Sequence, residues 1–278
     1  MVPRLATWSI LGSLLLGCED TRLVAERGGA LPLRCDPGPV DDVVARYSFD
    51  EAPGAEGFAD ETGAHPAQVT GNAARVEGPE GCGQAVVFPQ GDPRGYLVVA
   101  PSSAFALPSG SLSFWVWLPP PPGPVFRVGI LSRDATLERT KGHFTVYWTG
   151  PGYLSVRLQG ANAAGSRCTA RVMPTETWTH VGINFGSGPL ELYINGIEEN
   201  SRNEAIFVPT APCGADTNDG LEGNANPWVF GANNDGSMDG LADAPSDFAA
   251  SVRLDEILLS SQRRVFRRQA VVTTQSPR

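Results

Sequence analysis

Apolar residues come in short runs along most of this chain, and no stretch repeats them at the helical period. Eleven runs read as strands: 43–49 (VVARYSF), 84–88 (QAVVF), 95–100 (GYLVVA), 111–118 (SLSFWVWL), 127–132 (RVGILS), 143–149 (HFTVYWT), 153–159 (YLSVRLQ), 178–185 (WTHVGINF), 189–194 (PLELYI), 227–231 (PWVFG) and 251–259 (SVRLDEILL). Several alternate with a period of two, so opposite faces can be assigned. In WTHVGINF, Val181, Ile183 and Phe185 share one face, and His180, Gly182 and Asn184 the other. In PLELYI, Leu190, Leu192 and Ile194 oppose Glu191 and Tyr193. In SLSFWVWL, Phe114, Val116 and Leu118 oppose Trp115 and Trp117. Four prolines at 119–122 lack backbone donors and mark the exit from that strand. Polar loops are expected at 212–226 and about 232–248. Many short strands, turn-rich joints and no helices predict an all-β fold, a two-sheet antiparallel jelly-roll sandwich.

Composition agrees with a turn-rich chain, through 32 Gly and 24 Pro. The net charge of −9 is uneven. Residues 260–278 hold five Arg and no acid, which leaves 16 basic against 30 acidic residues, or −14, in the remainder. An acidic body argues against nucleic acid, whose phosphates need a basic face. The basic C-terminal tail, 263–278, is expected to be a solvated terminus or to touch acidic polysaccharide or membrane phosphates.

The amino terminus has a different character. Arg4 precedes an apolar stretch from Leu5 to Leu16, too short to span a bilayer and of the right length for a signal-peptide core. It ends in Leu15-Leu16-Gly17-Cys18, followed by Glu19-Asp20. This resembles the lipobox of bacterial lipoproteins. The resemblance implies a signal peptide over 1–17, cleavage before Cys18 and acylation of its thiol. It also implies an extracytoplasmic location at the cell envelope, with the membrane reached through the lipid alone. The polar residues 18–42 read as a tether.

With Cys18 assigned to lipid, Cys35, Cys82, Cys168 and Cys213 remain. An even number outside the cytoplasm predicts two disulfides. Three connectivities are possible, and the most economical pairs Cys35 with Cys82 and Cys168 with Cys213. Zinc is the rival, but there is no CxxC pair and only three His.

Five segments in order resemble a laminin-G-like domain of the concanavalin A-like lectin/glucanase superfamily. They are ARYSFDE (45–51) with FADETG (58–63), GCGQAVVF (81–88), SLSFWVWL, the pair WTHVGINF and LELYINGIEE (178–199), and the closing RLDEILLS (253–260). The resemblance covers about 43–262. It implies a jelly roll that binds carbohydrate or protein, with some glycosidases among the relatives. Fold alone does not settle function.

Catalysis is not expected. Glycosidases of this fold carry carboxylates on one face of one strand, as Glu-x-Asp-x-Glu, and no such run occurs. Simple alternation sends Asp255 and Glu256 to opposite faces. No GxSxG motif occurs, and His65, His143 and His180 sit in unrelated settings. The expected role is a non-catalytic, lipid-anchored envelope binding module with a glycan ligand. The alternatives are a protein-interaction or structural module, in which an envelope protein is the partner, and a diverged glycosidase.

The candidate ligand face combines Trp115, Trp117, His180, Asn184, Glu191 and Tyr193. Aromatic platforms beside amide and carboxylate groups suit sugars, although two Trp on a central strand also suit plain packing. Trp148, Tyr153 and Trp228 at strand ends form a second aromatic set, or else cap the core. The family resemblance also implies a structural Ca²⁺ at the sandwich rim, with Asp50, Asp60 and Asp255 as matching acids. The loop bearing Asp216, Asn218, Asp219 and Glu222 is another oxygen-rich place, without EF-hand spacing.

Overall fold

The computed structural model describes Cys35 and residues 41–52, 57–121, 127–133, 142–150, 152–160, 162–199, 213–214, 218–233 and 247–266. The signal segment, Cys18 and most of the tether lie outside the described residues.

Two antiparallel sheets form the fold, as the alternation predicted. The first contains β1 (Val43–Tyr47), β4 (Ala74–Glu77), β5 (Gln84–Val87), β7 (Ser109–Trp117), β12 (Trp178–Gly186), β13 (Glu191–Ile194), β14 (Ile197–Glu198) and β16 (Arg253–Ser260). Its order is β14-β13-β12-β7-β16-β5-β4, with β1 also pairing β16. The second contains β2 (Gly57–Phe58), β3 (Ala67–Thr70), β6 (Tyr96–Val99), β8 (Arg127–Arg133), β9 (His143–Thr149), β10 (Leu154–Gln159), β11 (Ala164–Cys168) and β15 (Trp228–Phe230). Its order is β11-β10-β9-β8-β15-β6-β3-β2.

All eleven predicted strands form. The strands that the apolar runs did not reveal are β2, β3, β4, β11 and β14. Four of these end a sheet and the fifth, β3, lies next to an end, where little apolar area is needed. β4 (ARVE) has one large apolar residue and β11 (AGSRC) none.

The core lies between the sheets. Phe114, Val116, Leu118, Val181, Ile183, Phe185 and Leu192 come from the first, and Leu97, Val99, Ile130, Phe144, Val146, Val156, Leu158 and Phe230 from the second. Each side chain of this size stabilises by about 1.5–3 kcal/mol when fully buried.

The four cysteines form two disulfides, Cys35–Cys82 and Cys168–Cys213. The packed chain also runs past the expected domain edge at 262. The segment Ser261–Phe266 lies across the outer face of the first sheet, and Phe266 is fully buried there with Leu258 and Tyr193.

One strand departs from simple alternation. Asp255 pairs with Trp115 and Leu258 with Ser113, so β16 carries an extra residue between them. This is a β-bulge. Glu256 takes a left-handed backbone angle, φ 48°. Leu254 and Ile257 therefore both face the core although three residues apart. Asp255 and Glu256 both end on the outer side, Glu256 against Arg46 of β1. The expectation that these two acids face opposite ways is corrected by the bulge.

Candidate functional site

Trp115, His180, Asn184, Glu191 and Tyr193 do share the outer face of the first sheet, because β7, β12 and β13 are neighbours. They do not form an open groove. Trp115 meets His180 edge-on at 5.4 Å, and Phe266 lies over His180 at 5.9 Å and Tyr193 at 5.4 Å. Asn184 Nδ2 donates to Glu191 (2.9 Å) and to the Arg264 carbonyl (2.7 Å), while its Oδ1 accepts from the Arg264 N–H (2.9 Å). Glu191 also takes the Tyr193 hydroxyl at 2.9 Å and pairs with Arg263 at 2.6 Å. Burial, then Glu191, keeps the Tyr193 phenol protonated well above the usual range. Burial also drives His180 down to about 4, so its ring is neutral. Trp117 is half-buried beneath the Arg253 guanidinium, 4.3 Å from the ring centre. His180, Asn184, Glu191 and Tyr193, chosen for sugar binding, thus hold down the C-terminal strap. The segment that covers them could not be placed by alternation, because its contacts are made by one Phe, two Arg side chains and backbone groups.

The acids chosen for calcium divide. Asp60 accepts backbone N–H groups of Arg46, Thr62, Ala64 and His65, plus the Thr62 hydroxyl. Its oxygens build a turn, and it leaves the ligand set for that reason. Asp50 Oδ1 likewise accepts the Gln84 N–H at 2.7 Å, and Asp255 Oδ1 the Glu256 N–H at 2.8 Å. Asp255 is fully buried, its Oδ2 has no hydrogen-bond partner, and burial first, then Glu256, pushes its carboxyl up to about 9. A methyl group on Gly78 would sit 2.8 Å from that Oδ2. One on Gly83 (φ 73°) would sit 2.0 Å from Asp50 Oδ1. Two glycines therefore let two carboxylates pack directly against the backbone, and the unpartnered Asp255 Oδ2 is the feature a hard cation would satisfy. No group of three or more His, Cys, Asp or Glu side chains converges among the described residues. A cation here would rest on Asp50, Asp255 and backbone oxygens. In the other acidic loop, Asn218 accepts from Gly186 and donates to the Gly188 carbonyl, while Asp219 accepts from Asn162. Glu222 offers its backbone carbonyl to Arg133, and Asp216 lies outside the described residues.

Two features escaped the sequence reading. The outer face of the second sheet carries a polar row: Thr145 and Tyr147 of β9, Ser155 and Arg157 of β10, and Ser166 of β11, aligned by register and all buried. The signal was present in HFTVYWT and LSVRLQ, where these residues alternate with core residues. Near its end, Arg127 stacks on Tyr147 at 5.0 Å and pairs with Asp247 at 2.6 Å.

The second feature adjoins that pair. A groove of about 800 Å³ opens at one end of the sandwich, where chain segments from both sheets meet. Its walls are Pro119, Pro120, Val128, Trp148 and Phe248, with Gln90, Arg94, Arg127, Asp247 and Ser251 around them. Arg94 is exposed and stacks over Phe248 at 5.2 Å, and Tyr96 packs against Phe248 at 5.9 Å. Trp148, from the second aromatic set, lines this groove, and its indole N–H has no partner. Trp228 caps the core against Phe105 and Phe144, and Tyr153 packs on the Cys168–Cys213 disulfide.

Comparison with known proteins agrees with this architecture. The profile of the Laminin_G_3 family, described as concanavalin A-like lectin/glucanases superfamily, matches residues 92–244. No curated protein matches the chain. Among solved structures, the binding domain of botulinum neurotoxin DC in complex with rat synaptotagmin II aligns with TM-score 0.52 at 13% identity. That match covers 80% of this chain and 49% of the other. Trypanosoma rangeli sialidase in complex with 2,3-difluorosialic acid aligns with TM-score 0.53 at 16% identity, covering 88% and 35%. The binding domain of botulinum neurotoxin serotype D gives 0.52 at 16%, covering 80% and 49%. The chain thus spans about half or less of the length of these structures.

Proposed function

Because the chain belongs to the Laminin_G_3 family of the concanavalin A-like lectin/glucanase superfamily, we propose that it is a non-catalytic binding module that takes a glycan in the groove at the end of the sandwich. The groove carries this reading. Its volume lies in the range of small-ligand sites, and it sets apolar walls beside a few polar groups. Pro119, Pro120 and Phe248 offer flat surfaces to sugar rings, and Gln90, Arg94 and Ser251 offer hydrogen bonds to hydroxyls.

Hydrolysis has little support there. Glycosidases need two carboxylates flanking the bond. Among the described residues the groove holds one, Asp247, and Arg127 pairs with it. Asp255 and Glu256 are adjacent carboxylates, but both are buried, Glu256 is paired with Arg46, and neither lines the groove. The lipobox resemblance at Cys18 supports tethering at the envelope, and the two disulfides suit an oxidising compartment. Among the described residues no helix is long and apolar enough to cross a membrane. A protein ligand is the second reading, favoured by the synaptotagmin complex of the structurally similar neurotoxin domain.

Binding of the full-length protein, purified in mild detergent, to an array of bacterial and plant polysaccharides tests the glycan reading. Phe248→Ala should weaken any binding by about tenfold, the scale of a lost aromatic contact. Binding to no glycan overturns this reading.

Calcium is proposed as a structural ion held by Asp50 and Asp255, tying the residues after β1 and the bulge of β16 to the Gly78–Gly83 turn. Added CaCl₂ should raise the melting temperature of EDTA-treated protein by several degrees, since a ligand at about 100 times its Kd adds ~2.7 kcal/mol. Asp255→Asn should abolish that response. An unchanged melting curve removes the ion from the account.

A further inference from the structure

The charges in the groove narrow its ligand class. Among the described lining residues only Arg94, Arg127 and Asp247 are charged, so these sum to +1 within a protein of net charge −9. Asp247 is matched to Arg127. Among the described residues the Arg94 side chain makes no ion pair or hydrogen bond, and its guanidinium carbon lies over the Phe248 ring. That contact leaves the guanidinium N–H groups without a protein partner there, and paired N–H groups match the two oxygens of a planar acid.

The surroundings bear on why the Arg is there. A neutral sugar gains hydrogen bonds from amides and hydroxyls and has no need of an unpaired cation. The dense phosphate charge of nucleic acid is disfavoured by the acidic body, and one unpaired cation suits one carboxylate, that of the single ring seated in the groove. Pro119 and Pro120 form an apolar wall in the same groove, where the carbon face of a ring can rest.

We propose that the groove recognises a carboxylate-bearing sugar, a uronic- or sialic-type ring, with Arg94 pairing the carboxylate and Phe248 holding Arg94 in position. This rests on the glycan reading above and adds the charge of the ligand to it.

The test uses matched polymers: polygalacturonate, alginate, hyaluronate and polysialic acid, each beside its carboxyl-reduced neutral form, with dextran sulfate as an unrelated polyanion. The full-length protein should bind at least one acidic polymer about tenfold or more tighter than its reduced form. Arg94→Gln should remove that preference, as loss of a charge-assisted hydrogen bond predicts. Phe248→Leu, which keeps apolar volume but not the stacking ring, should weaken acidic binding while Arg94 is still present. Equal binding to acidic and reduced forms, or an unchanged preference in Arg94→Gln, overturns the carboxylate proposal and leaves the glycan reading standing. Stronger binding to dextran sulfate than to every carboxylated polymer also overturns it. Binding to no polysaccharide overturns both.

Discussion

Phe266→Ala is expected to destabilise the fold by about 3–5 kcal/mol, the range for removing a buried aromatic side chain. The ring is fully buried, and it rests where β12 has no side chain. A Cβ added to Gly182 would lie 2.5 Å from the Phe266 ring. The strap around it is fixed by backbone bonds to Asn184, by Arg263 to the Gly186 carbonyl (2.7 Å), and by Arg264 to Asp42. A double-mutant cycle separates this docking from general loss of volume. Gly182→Ala should be strongly destabilising beside Phe266, which cannot yield, and nearly harmless in Phe266→Ala. Urea unfolding of the four variants measures both. A Gly182→Ala cost that is the same in the two backgrounds would refute the packing of Phe266 into that notch.

The strap also sets an acid sensitivity. Phe266 is among the groups that bury His180, and burial lowers the folded pKa from 6.5 to about 4. The unfolded chain therefore takes up a proton first as pH falls. Stability contributed by the neutral ring is present above about 6.5 and is lost progressively between 6.5 and 4, by up to about 3 kcal/mol. In Phe266→Ala that loss should shrink, as water reaches the ring.

How much of this was legible in the sequence depends on the kind of contact. Alternation placed Val181, Ile183, Phe185, Phe114 and Val116 in the core, because a period of two is enforced wherever one face is buried. It also placed His180, Asn184, Glu191 and Tyr193 together. It could not say what lay over them. Val265-Phe266 looks like an incidental apolar pair in a basic tail, and only the missing side chain at Gly182 gives it a seat. The β16 bulge was equally invisible, since one extra residue turns Asp255 and Glu256 to the same side without changing composition. Asp60 looked like a metal ligand because an Asx turn and a cation site use the same atom types. The groove was hidden for another reason. Gln90 and Arg94 lie between β5 and β6, Pro120 between β7 and β8, Trp148 on β9 and Phe248 between β15 and β16, and only closure of the sandwich brings them to one end. The polar row was legible and passed over: Thr145, Tyr147, Ser155 and Arg157 alternate with core residues in strands that had been recognised.

The disulfides should contribute unequally although their loops are nearly the same length. The sequence separations are 47 for Cys35–Cys82 and 45 for Cys168–Cys213. On chain entropy alone, each opened loop costs about 4 kcal/mol. The difference lies in burial. Cys168 is fully buried and Cys213 nearly so, against Tyr153 at the end of β11; in the other pair Cys82 is as buried as Cys213, but Cys35 is only partly buried. Beside Cys213, the Gly214 N–H donates to the Ser166 carbonyl at 3.0 Å, so this bridge also holds Gly214 against the β11 edge. Cys168→Ala/Cys213→Ala should therefore lose packing and edge pairing in addition to loop entropy. It should be the less stable of the two double mutants, by about 1–2 kcal/mol, the scale of a small buried group plus one hydrogen bond. Thermal melts of both double mutants under oxidising conditions, set beside the fully reduced wild type, give the comparison. Equal melting temperatures would mean that only the loops matter, and that the buried sulfur pair adds nothing beyond its link.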